Sequence, residues 1–526
     1  MTDTTITNPA SIEPAEDRLN PRHMLAFTIM VVGMFMSILD IQIVSASLAE
    51  IQAGLSASVD EVSWVQTSYL ICEVIAIPLS GYLSRAFGTR NLFAMSAAGF
   101  TFASLMCGLT SSISQMIFWR AVQGFVGAGM IPTVFASAYT VFPRSKFHIV
   151  GPIIGLVSTL APTVGPTVGG YLTDALSWHW LFFINIVPGI FVTLGVLALV
   201  DFDEPNMSLL SRLDWIGLAA MGGFLGSLEY VLEEGPRNDW FEESLIVIFT
   251  IVMLMSAAIF FYRAFTQKEP IVDLRTFGDR NFAVGCLISL CVGVGLYGLT
   301  YLYPRYLAEV RGYSAMMIGE TMFVSGAVMF LSAPIIAQLL RKYDPRALIF
   351  IGLLLFSIGT WQMTWVTRDY DFWELFLPQV FRGAGIMLAM IPTNTIALGT
   401  LPPDRMKNAS GLFNLTRNLG GAIGLALLNT ILNKRTDLHL ARLHEAVTWG
   451  NAKAVETLNL LTQKFQGTGD AAGKALKQLM MIVHRQAVVM SYADAFFVLT
   501  FFYLALAGMI FLLKKPAMMG TPPDAH

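Results

Sequence analysis

Charge is what this sequence has least of. Only 13% of its 526 residues are Asp, Glu, Lys or Arg, against 55% hydrophobic, and the mean hydropathy is +0.61. Soluble domains carry about 25% charged residues, so the deficit excludes a single water-soluble core and places the chain in a membrane. Cysteine is scarce too: Cys72, Cys107, Cys286 and Cys291 all fall in apolar runs, read as small buried hydrophobes that carry no redox information. Residues 1–21 are polar and acidic, without the basic flank and cleavage site of a secretory signal. The net charge of −3 comes with no basic, aromatic-interleaved patch, so nucleic acid is not expected. No P-loop and no H-E-x-x-H occurs, so neither ATP nor zinc chemistry is indicated, and no cofactor or metal is expected. "GVGLYG" at Gly293 to Gly298 fits G-x-G-x-x-G, but it lies in an apolar run with no preceding strand, so helix packing accounts for it better.

What is present is apolar runs of spanning length. A helix crossing a hydrocarbon core needs about 20 apolar residues, and a sliding window of that size finds about fourteen. They run Met24–Leu48, Glu61–Ser84, Leu92–Leu109, Gln115–Ser137, His148–Tyr171, Trp180–Val200, Trp215–Leu232, Leu245–Tyr262, Phe282–Tyr306, Met316–Leu340, Leu348–Val366, Phe372–Leu398, Gly411–Leu432 and Ala493–Leu513. Cytoplasmic loops retain Lys and Arg. With the N-terminus inside, the inner loops hold Arg85 and Arg90, Arg144 and Lys146, Arg212, Lys268, Arg275 and Arg280, Arg341, Lys342 and Arg346, and Arg405 and Lys407. The short outer loops keep Arg237, Arg311 and Arg368, and an even count returns Lys514 and Lys515 to the inside.

Two echoes indicate internal duplication. "WRAVQGFVGAGMIPT" at Trp119 to Thr133 recurs as "FRGAGIMLAMIPT" at Phe381 to Thr393, and "FGTRNL" at Phe87 to Leu92 as "YDPRAL" at Tyr343 to Leu348. Both pairs are eight helices apart, as for two six-helix halves separated by two extra helices. The expected organisation is a cytoplasmic tail (1–23), an N-terminal bundle (24–200), two inserted helices and a linker (201–281), a C-terminal bundle (282–513) with a long external loop (433–490), and a second cytoplasmic tail (514–526). Such bundles place their substrate site near the membrane midplane, between the halves.

The ordered motifs "SILDIQIVSASL" (Ser37–Leu48), "GYLSRAFGTR" (Gly81–Arg90), "RAVQG" (Arg120–Gly124) and "GPTVGG" (Gly165–Gly170) carry a family resemblance. So do "SWHWLFFINIVPG" (Ser177–Gly189), "DWIG" (Asp214–Gly217), "EPIVDLRTF" (Glu269–Phe277), "GLFNLTRNLGGAIG" (Gly411–Gly424) and "YADAFF" (Tyr492–Phe497). Together they span nearly the whole chain, which resembles the fourteen-helix drug:proton antiporters of the major facilitator superfamily, the Emr and Qac type. The resemblance implies an all-α membrane fold and an antiporter signature on the fifth span at Gly165, Pro166, Gly169 and Gly170. Glycines at this spacing let a neighbouring backbone approach, and Pro162 and Pro166 free carbonyls and bend the helix.

Ionisable groups in lipid are costly and tend to mark function. Asp40 lies sixteen residues into the first span, about 24 Å from its inner end. It matches the acidic position of the family's first-helix motif and is the first candidate for proton coupling, a helix-positioning hydrogen bond being the competing reading. Glu73 is the second candidate. Arg120 matches the family's motif arginine and should pair with Asp40 or a neighbour, since an unpaired guanidinium there is hard to sustain. Glu229, Glu320 and Asp494 fall nearer span ends.

The loop at Gly81, Arg85, Gly88 and Arg90 has Arg85 where the superfamily has Asp. That departure withdraws the usual charge-relay gate; its arginines either hold the gate through helix dipoles or anchor the topology. Asn394, Asn414, Arg417 and Arg382 are candidates for polar contacts in an apolar pocket.

The implied protein is an inner-membrane, multi-pass, proton-coupled exporter of amphipathic compounds, both termini cytoplasmic. Its partners are protons, amphipathic substrates and lipid, with a periplasmic membrane-fusion adaptor and outer-membrane channel through the external loop. The competing functions are a dedicated exporter of an endogenous fatty acid, peptide or siderophore, and a polytopic membrane enzyme, for which His148 and His179 offer no suitable setting.

Overall fold

The computed structural model describes residues 20–143, 146–267, 269–467 and 469–510. Most of both expected tails, with Lys514 and Lys515, lies outside the described residues, as do Arg144, Lys268 and the side chain of His148. The described residues contain helices and no strand. Twelve helices among them are long and apolar enough to cross a membrane.

The chain enters through α1 (Pro21–Ala46) and the short α2 (Leu48–Leu55). The next helix, α3 (Val59–Gly108), has 50 residues, about 75 Å of helix and far too long for one crossing. It folds at Gly88, whose φ of +79° and ψ of 157° are open to glycine and not to other residues. One long helix thus supplies the expected second and third crossings, joined without a loop of their own. The expected fourth span is broken between α4 (Ile113–Gly127) and α5 (Met130–Thr140). The fifth is α6 (Phe147–Ala175), a continuous helix through Pro152, Pro162 and Pro166. The sixth is interrupted between α7 (Trp180–Phe183) and α8 (Ile186–Leu199).

Two helices follow, α9 (Trp215–Glu234) and α10 (Ser244–Thr266), then α11 (Arg280–Tyr306), α12 (Ala315–Lys342), α13 (Pro345–Gln362), α14 (Phe372–Gly399), α15 (Met406–Ala446), α16 (Ala452–Lys464) and α17 (Ala471–Met509). The α15 helix carries Asn, Arg and Gly on its buried faces, which lowers its hydropathy below that of the twelve apolar helices. Counting it, and counting α3 twice, the architecture is compatible with fourteen crossings.

Helices before α9 pack mainly among themselves, as do those after α10. The halves meet where α6 lies against α12 and where α3 and α5 lie against α15, while α9 packs on both α3 and α15 and so lines the seam. The α10 helix packs chiefly on α9 and is largely exposed, as a lipid-facing helix must be. Glycines set the close crossings. A Cβ on Gly165 would lie 2.4 Å from the Gln42 Cβ, and one on Gly169 would lie 2.7 Å from the Ile43 carbonyl oxygen, so the glycine face of α6 is the surface that admits α1. The same holds for "GVGLYG": a Cβ on Gly293 would stand 2.2 Å from the Arg417 carbonyl oxygen.

The polar segment at 433–490 is largely helical. The α15 and α17 helices run on past the apolar region and α16 packs against α17.

Candidate functional site

Asp40 sits in the last two turns of α1 with no exposed surface, and a carboxylate so placed must be paired and hydrogen-bonded. Both requirements are met. Arg120 Nη1 donates to Oδ2 at 2.6 Å, while Gln123 Nε2 and Asn185 Nδ2 donate to Oδ1 at 3.2 and 2.7 Å. Arg120 is equally buried. Its Nε donates to the Val65 carbonyl at 3.2 Å, its Nη1 also to Gln123 Oε1 at 2.7 Å, and its guanidinium lies 4.2 Å from the centre of the Tyr69 ring.

Local structure explains this convergence. Gln123 follows Arg120 by three residues, so both project from one face of α4. A Cβ on Gly124 would lie 2.3 Å from the Tyr69 carbonyl oxygen, so glycine there draws α4 onto α3 and brings Arg120 to Val65 and Tyr69. Asn185 occupies the break between α7 and α8, where its side chain caps nothing and is left to reach Asp40 and Ser104 Oγ. Neither Gln123 nor Asn185 was a sequence candidate. Both lie inside quoted motifs, "RAVQG" and "FFINIVPG", where an amide amid apolar residues was the available signal.

Glu73 stands apart from this cluster. It is 1% exposed, and its Oε1 has no hydrogen-bond partner. It lines a chamber of about 50 Å³ with Glu229 and Glu233 of α9. Glu229, expected nearer a span end, is 2% exposed. Through Gln42, Gln66, Glu233, Tyr297 and Leu425 the chamber adjoins a larger cavity of about 770 Å³. That cavity lies between the halves, toward the face where α1 and α11 end, with Pro166 and Gly170 of the antiporter signature in its wall.

On the opposite face, where α1 begins, the halves are latched. Lys407 Nζ bonds Asp203 Oδ2 and donates to the Ser84 carbonyl at 3.0 Å, and Asp203 Oδ1 accepts from the Thr89 amide at 2.8 Å. A Cβ on Gly81 would lie 2.8 Å from the Lys407 carbonyl oxygen, so this glycine lets α15 close onto α3. Arg85 and Arg90 form no ion pair among the described residues. Arg85 lies near the Tyr82 ring and Arg90 is exposed. The carboxylate that meets this loop comes from the segment after α8, as Asp203, which sequence spacing could not indicate.

The four pocket candidates are buried, and none lines the larger cavity in this conformation. Asn414 accepts from Arg417 Nη2 at 2.8 Å, Arg382 donates to Thr300 Oγ1 at 2.8 Å and to Gln379 Oε1 at 3.3 Å, and neither amide atom of Asn394 has a partner. Arg382 is the echo of Arg120, yet no carboxylate meets it among the described residues. The acid–base pair belongs to the N-terminal half. Among the described residues no cluster of His, Cys, Asp and Glu could hold a metal.

Comparison with known proteins places this geometry. Residues 30–425 match the family model described as Major Facilitator Superfamily. Over 471 residues the chain is 41% identical to the colistin resistance protein EmrB of Acinetobacter baumannii, covering 89% of this chain and 92% of that one. It is 31% identical to the multidrug export protein EmrB of Escherichia coli over 92% and 93% of the two chains. It is 29% identical to the fatty acid resistance protein FarB of Neisseria gonorrhoeae over 93% and 95%. The proton:xylose symporter XylE superposes with a TM-score of 0.57 at 14% identity, covering 92% of this chain and 95% of that one, a likeness of fold alone. On its helices, its seam and these matches, the chain belongs to the major facilitator superfamily.

Proposed function

We propose that this transporter, which is not an enzyme, exports amphipathic and lipophilic compounds in exchange for protons. The observation that carries the reading is the fully buried Asp40–Arg120 pair in one half, together with a cavity of about 770 Å³ between the halves and a latch between them on the opposite face. Protonating Asp40 neutralises the partner of Arg120 and loosens a contact that ties α1 to α4. Coupling a proton to a helix contact in this way converts a gradient into movement: one proton entering down an inside-negative potential of about 100 mV supplies about 2.3 kcal/mol.

The chain sits in the inner membrane with both termini cytoplasmic, a reading supported by the Lys and Arg bias of its loops. The division at 24–200, 201–281 and 282–513 follows the packing of α9 and α10 outside both bundles. The α15–α16–α17 projection docks a periplasmic adaptor and, through it, an outer-membrane channel. Support comes from its exposed Trp449, Leu460, Leu476 and Met480. A dedicated exporter of an endogenous fatty acid is the second reading, favoured by the fatty acid resistance relative.

The test uses purified protein in liposomes with a trapped pH dye and an imposed pH gradient, challenged with lipophilic cations, acids and neutral drugs. Substrate-dependent proton movement is expected. Asp40→Asn abolishes that movement, because an amide cannot cycle a proton. It also lowers the melting temperature, since removing one partner of a buried pair costs about 3–5 kcal/mol. Wild-type coupling in folded Asp40→Asn protein would move the assignment to Glu73.

A further inference from the structure

Helix α9 belongs to neither bundle, yet it places two carboxylates against the seam. Glu229 and Glu233 are four residues apart and so share one helix face, where they line the 50 Å³ chamber with Glu73 of α3. Glu73 Oε1 and Glu229 Oε2 are buried without a hydrogen-bond partner, and an unsatisfied buried acceptor is costly unless something donates to it. Among the described residues no ion pair neutralises any of the three.

Of the surrounding charged and titratable groups, Arg417 of α15 acts on Glu73 and Arg237 acts on Glu233, and the Arg417 Nε and Nη1 are buried without a hydrogen-bond partner; the others are engaged with one another. On α9, Glu234 faces Arg237 at 3.7 Å and accepts from Thr67 of α3. On α1 and α4, Asp40 and Arg120 hold each other. On α15, Arg417 donates to Asn414, and on α11, Tyr297 and Tyr301 bond Asn418 and Asn429 while Arg305 lies at Glu309.

Size decides what the carboxylates serve. One water needs roughly 10–15 Å³ of such space, so the chamber accommodates a few waters and no organic head group. Glu233 alone of the three also lines the larger cavity.

We propose that α9 carries a leg of the proton path: Glu233 takes a proton from the large cavity and passes it through water in the chamber to Glu229 and Glu73. This rests on the antiport reading. It gives the inserted helices a task in coupling, and it separates the substrate's space from the proton's at Glu233.

The first experiment needs no substrate and no variant. Dicyclohexylcarbodiimide attacks protonated carboxyls in apolar settings, so wild-type protein in liposomes should be modified at Glu229 or Glu73, less so at high pH, as read by peptide mass spectrometry. Absence of label at both would overturn the proposal. The second uses tetraphenylphosphonium as probe. Glu229→Gln and Glu233→Gln should slow probe-driven proton movement by about 100-fold or more, keep wild-type exchange of the probe between preloaded compartments, and be partly rescued by Glu229→Asp.

Unchanged proton movement in both Gln variants refutes the path. Loss of probe binding and exchange in them refutes it in favour of a site for the substrate's cation. In the unsubstituted protein, exchange of the probe with no proton movement removes the antiport reading itself, and the path with it.

Discussion

At Asp40, three side chains from two other segments of chain reach two oxygens: Arg120 and Gln123 from α4, and Asn185 from the break before α8. A carboxylate held this way is stable only while every donor stays, which suits a group meant to change partner when protonated. A contrasting carboxylate lies at the surface. Asp371 caps α14, and the Tyr313 hydroxyl, the Phe372 amide and Arg311 together hold it below the ordinary carboxylate range. A depressed pKa in the folded state means that the cap's contribution is complete above the ordinary value, about 3.9, and is lost as pH falls through the lowered one. Hydrogen exchange at the first turn of α14 should therefore stay protected at mildly acidic pH and quicken only below about pH 4, while Asp371→Asn removes that pH dependence.

Among the elements, α6 shows how composition becomes geometry. Its glycines were readable as a close-packing face, but not which helix they admit, because small residues carry no mark of their partner. The partner is α1, at Gln42 and Ile43. In Gly169→Ala the new methyl meets a backbone oxygen that cannot turn aside, so the variant should lose about 1–3 kcal/mol and melt lower in detergent. Gly508→Ala, with nothing within 4 Å, should not. The expected bending prolines do not interrupt α6, which is assigned as one helix through all three. The interruptions fall at Gly88 in α3, between α4 and α5 and between α7 and α8, and the last of these brings Asn185 to Asp40.

For the molecule as a whole, the closed face depends on contacts between segments far apart in the chain. Lys407 of α15 reaches Asp203 and the Ser84 carbonyl, and Asp203 in turn takes the Thr89 amide beside the Gly88 fold. Lys407→Gln and Asp203→Asn should both shift the population toward opening on that face. Ser84→Cys in a background lacking the four native cysteines reads this as faster labelling by a membrane-impermeant maleimide applied to that face. Equal rates with and without the ion pair would mean that backbone packing at Gly81 alone holds the face shut.

Length and hydropathy in the sequence were enough to determine a membrane protein and its apolar helices, because the cost of polar groups in lipid acts on each segment separately. They also marked Asp40, Arg120 and Glu73 as exceptional. Tertiary structure decided the rest: that Asn185 and Gln123 complete the Asp40 cluster, that Asp203 reaches Lys407 and the Thr89 amide, and that Glu229 and Glu233 look into one chamber. The physical reason is that lipid is as apolar as a helix's own side chains. Hydropathy therefore scarcely distinguishes a face turned to lipid from one turned to another helix, and only the fit of small residues against particular backbones settles which faces meet.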